Sequence, residues 1–122
     1  MSSQLLTPFL NEGTFVFCTL ASLNSIPDSN ILMSFKESEG TTIILKKEIA
    51  DHYQLEYSYT ASWITLGITT SLSMIGLTAK FSTALAQAGI SCNVIAAYHH
   101  DHIFVDERDA ARAIHILTDL KL

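Results

Sequence analysis

The spacing of apolar residues changes period between residues 63 and 88, and that change restricts the fold more than any composition figure. In Trp63-Ile64-Thr65-Leu66-Gly67-Ile68-Thr69-Thr70-Ser71 the large apolar residues at 64, 66 and 68 alternate with Thr or Gly, the repeat of a strand with one buried face. From Met74, apolar residues Met74, Leu77, Phe81, Ala84, Leu85 and Ala88 recur at three- and four-residue spacings, with Lys80, Thr83 and Gln87 off the stripe. That is an amphipathic helix, and it is expected to cover the Ile/Leu face of the strand. Ser73 is its expected N-cap, since a hydroxyl accepts from an unpaired first-turn amide, and Gly89 its expected stop. Ile90 to Tyr98 reads as a strand largely apolar on both faces and His102-Ile103-Phe104-Val105 as its neighbour, which leaves His99-His100-Asp101 at a hairpin turn. Asp106 is an N-cap for a last helix whose inward stripe is Ala110, Ala113, Ile114, Leu117 and Leu120.

The first half reads differently. Ser2 to Leu10 is a short amphipathic opening, expected as one or two helical turns ended near Pro8. Thr14 to Leu20 is a strand apolar on both faces and therefore central; Ser22 to Asn30 is a loop. Ile31 to Lys36 and Thr42 to Lys46 read as strands joined through the polar turn Glu37-Ser38-Glu39-Gly40, and a short helix follows from about Lys47 to Gln54. The orders α-β-β-β-α and β-α-β-β-α suggest two related half-size units, 1–61 and 62–122. The fold class is then α+β: ferredoxin-like tandem units, largely antiparallel sheets with helices packed on one face. The second unit lacks a fourth strand after Leu120, so residues 64–70 are expected to lie beside both 90–97 and a strand of the first half.

Charge and composition limit the partners. A net charge of −5, with no Lys/Arg run longer than Lys46-Lys47, leaves the counterion-release term of nucleic-acid binding without a source. Residues 1–61 carry three basic and seven acidic side chains against four and five in 62–122, so the acidity belongs to the first half. No charged residue occurs between Tyr57 and Ala79, long enough to raise a membrane span. The strand alternation and the many Ser and Thr within that stretch speak against one. Nothing at the N-terminus has the form of an export signal, and Cys18 and Cys92 lie in apolar strands, as buried thiols do; a cytoplasmic location is expected.

Two stretches carry a family resemblance. Ile75-Gly76-Leu77-Thr78-Ala79 followed by Leu85-Ala86-Gln87-Ala88-Gly89-Ile90-Ser91-Cys92-Asn93-Val94 resembles the signature of ACT domains, with a Gly-Leu opening the first helix and an Ala-Gly-Ile step into the second strand. Phe35-Lys36-Glu37-Ser38-Glu39-Gly40-Thr41-Thr42-Ile43-Ile44-Leu45 and Tyr98-His99-His100-Asp101-His102-Ile103-Phe104-Val105 extend it to a bacterial family of small proteins built of two ACT-like units, across nearly the whole chain. The sequence departs from the usual ACT pattern at Ile75, where Pro is common, and at Ser71, where Asp is common. The resemblance implies βαββαβ modules that bind amino acids or other small effectors where two such domains meet, a regulatory or sensing role without catalysis of its own, and a homodimer. It implies no cofactor.

The site so implied is Ser71, Leu72, Ser73, Met74, Ile75, Gly76 and Leu77, with Asn93 on the neighbouring strand. Free amides at a helix N-terminus attract a carboxylate. The competing reading is a strand-to-helix turn in which Ser73 caps and Gly76 packs. A second class of function is a small enzyme or metal-binding protein using His99, His100, Asp101 and His102. A hairpin turns consecutive side chains in different directions, so a polar tip with one His packed underneath is favoured there. Cys18 as nucleophile, and Glu37 with Glu39 as an acid/base pair, have weaker grounds: no basic neighbour for the first, a solvated turn for the second.

Overall fold

The alternation around residue 64 does become a strand, and the element order around it follows. The computed structural model describes residues 6–22, 26–67 and 76–120. Its elements are β1 (Pro8–Leu10), β2 (Phe15–Leu20), β3 (Met33–Glu37), β4 (Gly40–Lys46), α1 (Lys47–His52), β5 (Thr60–Leu66), α2 (Leu77–Gln87), β6 (Cys92–Ala96), β7 (Asp101–Asp106) and α3 (Ala110–Asp119), with 3-10 turns at Asp28–Asn30 and Glu107–Asp109. By contact the chain forms two compact units: Gly13–Ala61, and Ser62 onward together with the residues up to Glu12.

In the unit of Ser62 onward, the strands lie in the order β1-β5-β7-β6. β5 therefore lies beside β7, not beside β6 as its apolar sequence suggested; β6 is the outer strand, paired antiparallel with β7 from Cys92↔Val105 to Ala96↔Asp101. On the other side of β5 sits a strand of the first half, as the missing fourth strand required. That strand is β1, at the end of the segment for which helical turns were expected; residues 2–5 lie outside the described residues. Pro8↔Leu66, Phe9↔Thr65 and Leu10↔Ile64 pair antiparallel, and the ladder is extended by Gly67 N–H to Thr7 O (2.8 Å) and Asn11 N–H to Trp63 O (2.9 Å). At Pro8–Leu10 an open edge on β5 outweighs a weak helical pattern, and Pro8, which has no N–H to donate, is tolerated because β1 pairs on one side only among the described residues.

Ile64, Leu66, Ile103 and Val105 turn one face of this sheet towards the helices, where Phe81, Leu85, Leu77, Ala113 and Leu117 complete a core. Burial of a side chain such as Phe81, fully covered, contributes about 2–3 kcal/mol. α2 ends as expected: Gly89 N–H donates to Ala86 O (2.9 Å) and Ile90 N–H to Leu85 O (2.9 Å), satisfying carbonyls the helix leaves over. It begins later than its apolar spacing suggested, at Leu77, with Gly76 as N-cap residue; Ser73 and Met74 lie outside the described residues. Asp106 caps as expected, its Oδ1 accepting from Arg108 N–H at 2.9 Å, at a 3-10 turn that leads into α3. Arg112 of α3 donates to Ala88 O (2.6 Å), fastening the carbonyl end of α2.

The unit Gly13–Ala61 repeats the strand order. β2 is central between β4 and the first residues of β5 (Phe15↔Ala61, Val16↔Thr60), and β3 lies outside β4, giving β5-β2-β4-β3. In both units this is fourth, first, third, second, the ferredoxin-like arrangement. Thr60 and Ala61 of β5 belong to this unit, and Ser62 to Leu66 to the other. No helix stands between β2 and β3 among the described residues; a loop with the turn Asp28–Asn30 does, and Ile26 from that loop fills the core with Val16, Cys18, Ile43, Leu45 and Ala50.

Candidate functional site

The loop between β5 and α2 is built from its two ends. At the near end a Cβ on Gly67 would stand 2.5 Å from Thr7 O, so only glycine lets β1 close on β5 there. At the far end Gly76 adopts φ +89° in the left-handed region, and no atom of the described residues lies within 4 Å of where its Cβ would be. No side chain caps α2 at Gly76. Leu77 is only 8 % exposed and anchors the first turn in the core beside Phe81. Ser71, Leu72, Ser73, Met74 and Ile75 lie outside the described residues.

Asn93 sits in β6 opposite Phe104 and is exposed. Its neighbours Cys92 and Val94 pack against the helix-side core, so by strand alternation the Asn93 side chain is on the sheet face turned away from α2. Leu77 is on the helix side. Within one chain the two lie on different sides of the sheet.

The histidine hairpin resolves into an exposed tip and one anchored ring. Tyr98 and His99 are exposed, and the ring centroids of His99 and His100 are 6.5 Å apart, those of His100 and His102 6.2 Å. Among the described residues no group of three or more His, Cys, Asp or Glu is placed to hold a metal ion. His102 is the ring underneath. Its Nδ1 accepts from Trp63 Nε1–H at 3.0 Å and lies 3.1 Å from Thr65 Oγ1, which itself accepts from Asn11 Nδ2–H at 2.9 Å. Trp63 also stacks on Phe104, centroids 6.3 Å apart and planes 17° from parallel. Burial pushes the His102 imidazole below its ordinary pKa, the neighbouring His100 adds to this, and Asp101 opposes it. The sequence did hold a signal for this cluster: Trp63 and Thr65 alternate with Ile64 and Leu66, and His102 and Phe104 with Ile103 and Val105, so all four belong to the face opposite the helices.

Neither thiol is set up as a nucleophile. Burial raises the pKa of Cys18, and that of Cys92 to about 11, so both are protonated near neutrality. Glu37 accepts from Thr42 Oγ1 and Glu39 from Ser38 Oγ at 2.9 Å, bonds of an exposed hairpin turn. A shallow cleft of about 280 Å³ in the unit Gly13–Ala61 is lined by Gly13, Thr14, Lys47, Glu48 and Asp51. Asp51 is committed there, accepting from Tyr57 OH at 2.6 Å and from Lys47 Nζ at 3.0 Å, and these bonds hold its carboxyl below the usual range. No helix among the described residues is long and apolar enough to cross a membrane.

Comparison with known proteins gives the family. An ACT domain model matches residues 4–62 and a second ACT domain model matches 58–119. A crystal structure from Vibrio cholerae, described as a protein of unknown function and possible transport protein, is 43 % identical with a TM-score of 0.88, over 93 % of this chain and 88 % of that one. An Agobacterium tumefaciens protein is 13 % identical, TM-score 0.74, over 93 % and 87 %. The aspartokinase alpha and beta subunits are 14 % identical, TM-score 0.66, over 93 % and 96 %. These last two are likenesses of fold. No curated protein matches the sequence. With both halves matched and the ferredoxin-like strand order present twice, the chain belongs to the ACT domain family, as two tandem domains.

Proposed function

We propose that the protein is a regulatory or sensing module that binds an amino acid at residues 71–77, without catalysis of its own, as a cytoplasmic homodimer. ACT domains are regulatory modules that typically bind amino acids, and the two domain matches support a regulatory role. The tandem units divide at 61/62, with β1 lent by the first to the second. The observation that carries the site is Gly76: a residue at φ +89°, with no atom of the described residues within 4 Å of where its Cβ would be, opens an 11-residue helix. A ligand carboxylate can reach first-turn amides by that approach. Ser71, Leu72, Ser73, Met74 and Ile75 form the rest of the loop in this reading, and Leu77 holds the helix end in place. Asn93, facing the other side of the sheet from Leu77, supplies its amide to the site of a second copy.

The test is a thermal-shift screen over the twenty amino acids and common nucleotides, followed by calorimetric titration of the hit. A ligand at a hundred times its Kd adds about 2.7 kcal/mol of stability, a readily measured shift. Asn93→Ala, at an exposed position, is expected to keep the fold and weaken binding about tenfold, the scale of one lost hydrogen bond to a charged group. Unchanged affinity in Asn93→Ala removes that residue from the site, and a screen without any hit counts against the sensing role. Gly76→Val is a poor probe, because positive φ strains any L side chain whether or not a ligand binds there.

A further inference from the structure

The cluster around His102 forces one protonation state, and that has consequences for the N-terminal strand. An indole N–H can only donate, so the 3.0 Å bond from Trp63 requires a lone pair on Nδ1 and places the proton of the neutral ring on Nε2. The hydroxyl of Thr65, which accepts from Asn11, lies 3.1 Å from that same Nδ1. Asn11 also holds Trp63 through the carbonyl, by its N–H at 2.9 Å and its Nδ2 at 3.3 Å. β1 has three paired residues, one of them Pro8, so the bonds at its end carry much of its docking. We propose that His102 is an acid-sensitive latch on this strand: a protonated imidazole, with donors on both nitrogens, expels the Trp63 N–H from Nδ1 and loosens β1 from β5 through Thr65 and Asn11.

Among the described residues, the ionisable groups facing His102 are His100 and Asp101 of its own hairpin; Trp63 and Thr65 of β5 and Asn11 beyond β1 carry no charge. Burial holds the folded-state pKa of His102 below its unfolded value. The neutral ring's contribution to stability is therefore complete above an unfolded pKa of about 6.5 and is lost as pH falls from there towards the lower folded value.

Trp63 is the single tryptophan of the chain, so its indole N–H gives one cross-peak in a proton–nitrogen spectrum. Between pH 7.5 and 4.5 that signal is expected to move through one midpoint below about 6.5. Protection of the Asn11 and Gly67 amides, which bond across β1 and β5, is expected to fall about tenfold with the same midpoint. In His102→Gln, whose amide oxygen accepts from the indole and does not titrate, both changes disappear; in His100→Gln both remain, with the midpoint raised. The proposal is overturned if the indole signal stays still, if it moves equally in His102→Gln, or if it moves while Asn11 and Gly67 keep their protection. Should His102→Gln not fold, Trp63→Phe decides: the His102 ring signals must titrate at higher pH than in the unaltered protein, and an unchanged midpoint overturns the latch.

Discussion

The two units share a strand order and differ in what joins their first two strands. In one, α2 delivers Leu77, Phe81 and Leu85 to the core; in the other, a loop delivers Ile26. The same four-strand layout thus tolerates a helix or a loop over one half of its face, provided something apolar closes the layer. The difference bears on function, because only a helix of some length offers a row of directed amides at its start. Among the described residues α2 has this form and a glycine at its entrance, while the first unit's one helix, α1, has six residues.

Three substitutions test that contrast and carry the largest expected effects. Phe81→Ala is expected to cost about 3–5 kcal/mol, and Ile26→Ala to fall near the bottom of the about 2–5 kcal/mol range because a loop collapses onto a cavity more readily than a helix. Chemical denaturation measures both, and equal losses would mean that the loop is as firmly packed as α2. Leu85→Ala, fully buried in the same core, belongs with Phe81 at about 2–5 kcal/mol.

Next come the two glycines at the ends of the candidate loop, which are glycine for different reasons. Gly67→Ala meets Thr7 O at 2.5 Å and should cost about 1–3 kcal/mol by pushing β1 away. Gly76→Ala meets no atom of the described residues and should cost about 1 kcal/mol through its φ. D-Alanine introduced at 76 by semisynthesis isolates the φ cause: it is expected to restore stability there. Smallest is His99→Ala, under about 1 kcal/mol at an exposed tip. A larger loss there would make the hairpin part of the core.

Local periodicity carried most of the second unit into view before the structure did. The stop at Gly89, the cap at Asp106, the inward stripe of α3 and the hairpin around His99 all depend on residues close in sequence, where spacing and turn chemistry act directly. Long-range pairing was harder to read. β1 looked like a frayed helix because its strand character comes from the open edge of β5, more than 50 residues away, and β6 and β7 exchanged places because apolar strands carry no label for their neighbours. The Trp63–His102–Thr65–Asn11 cluster was missed for the same reason: each member is unexceptional in its own segment, and only the sheet brings them to one point. Of the candidate loop, the sequence located Gly76 at the opening of α2 but placed the start of the helix three residues early, at Met74.

The proposed function places an amino acid at the opening of α2. Amide chemical-shift mapping with the screened ligand tests it most directly. Perturbations are expected to concentrate on Gly76, Leu77, Thr78 and Ala79, with a second group at Asn93. Perturbations confined to residues 98–102, or to the cleft lined by Gly13, Lys47 and Asp51, would contradict it.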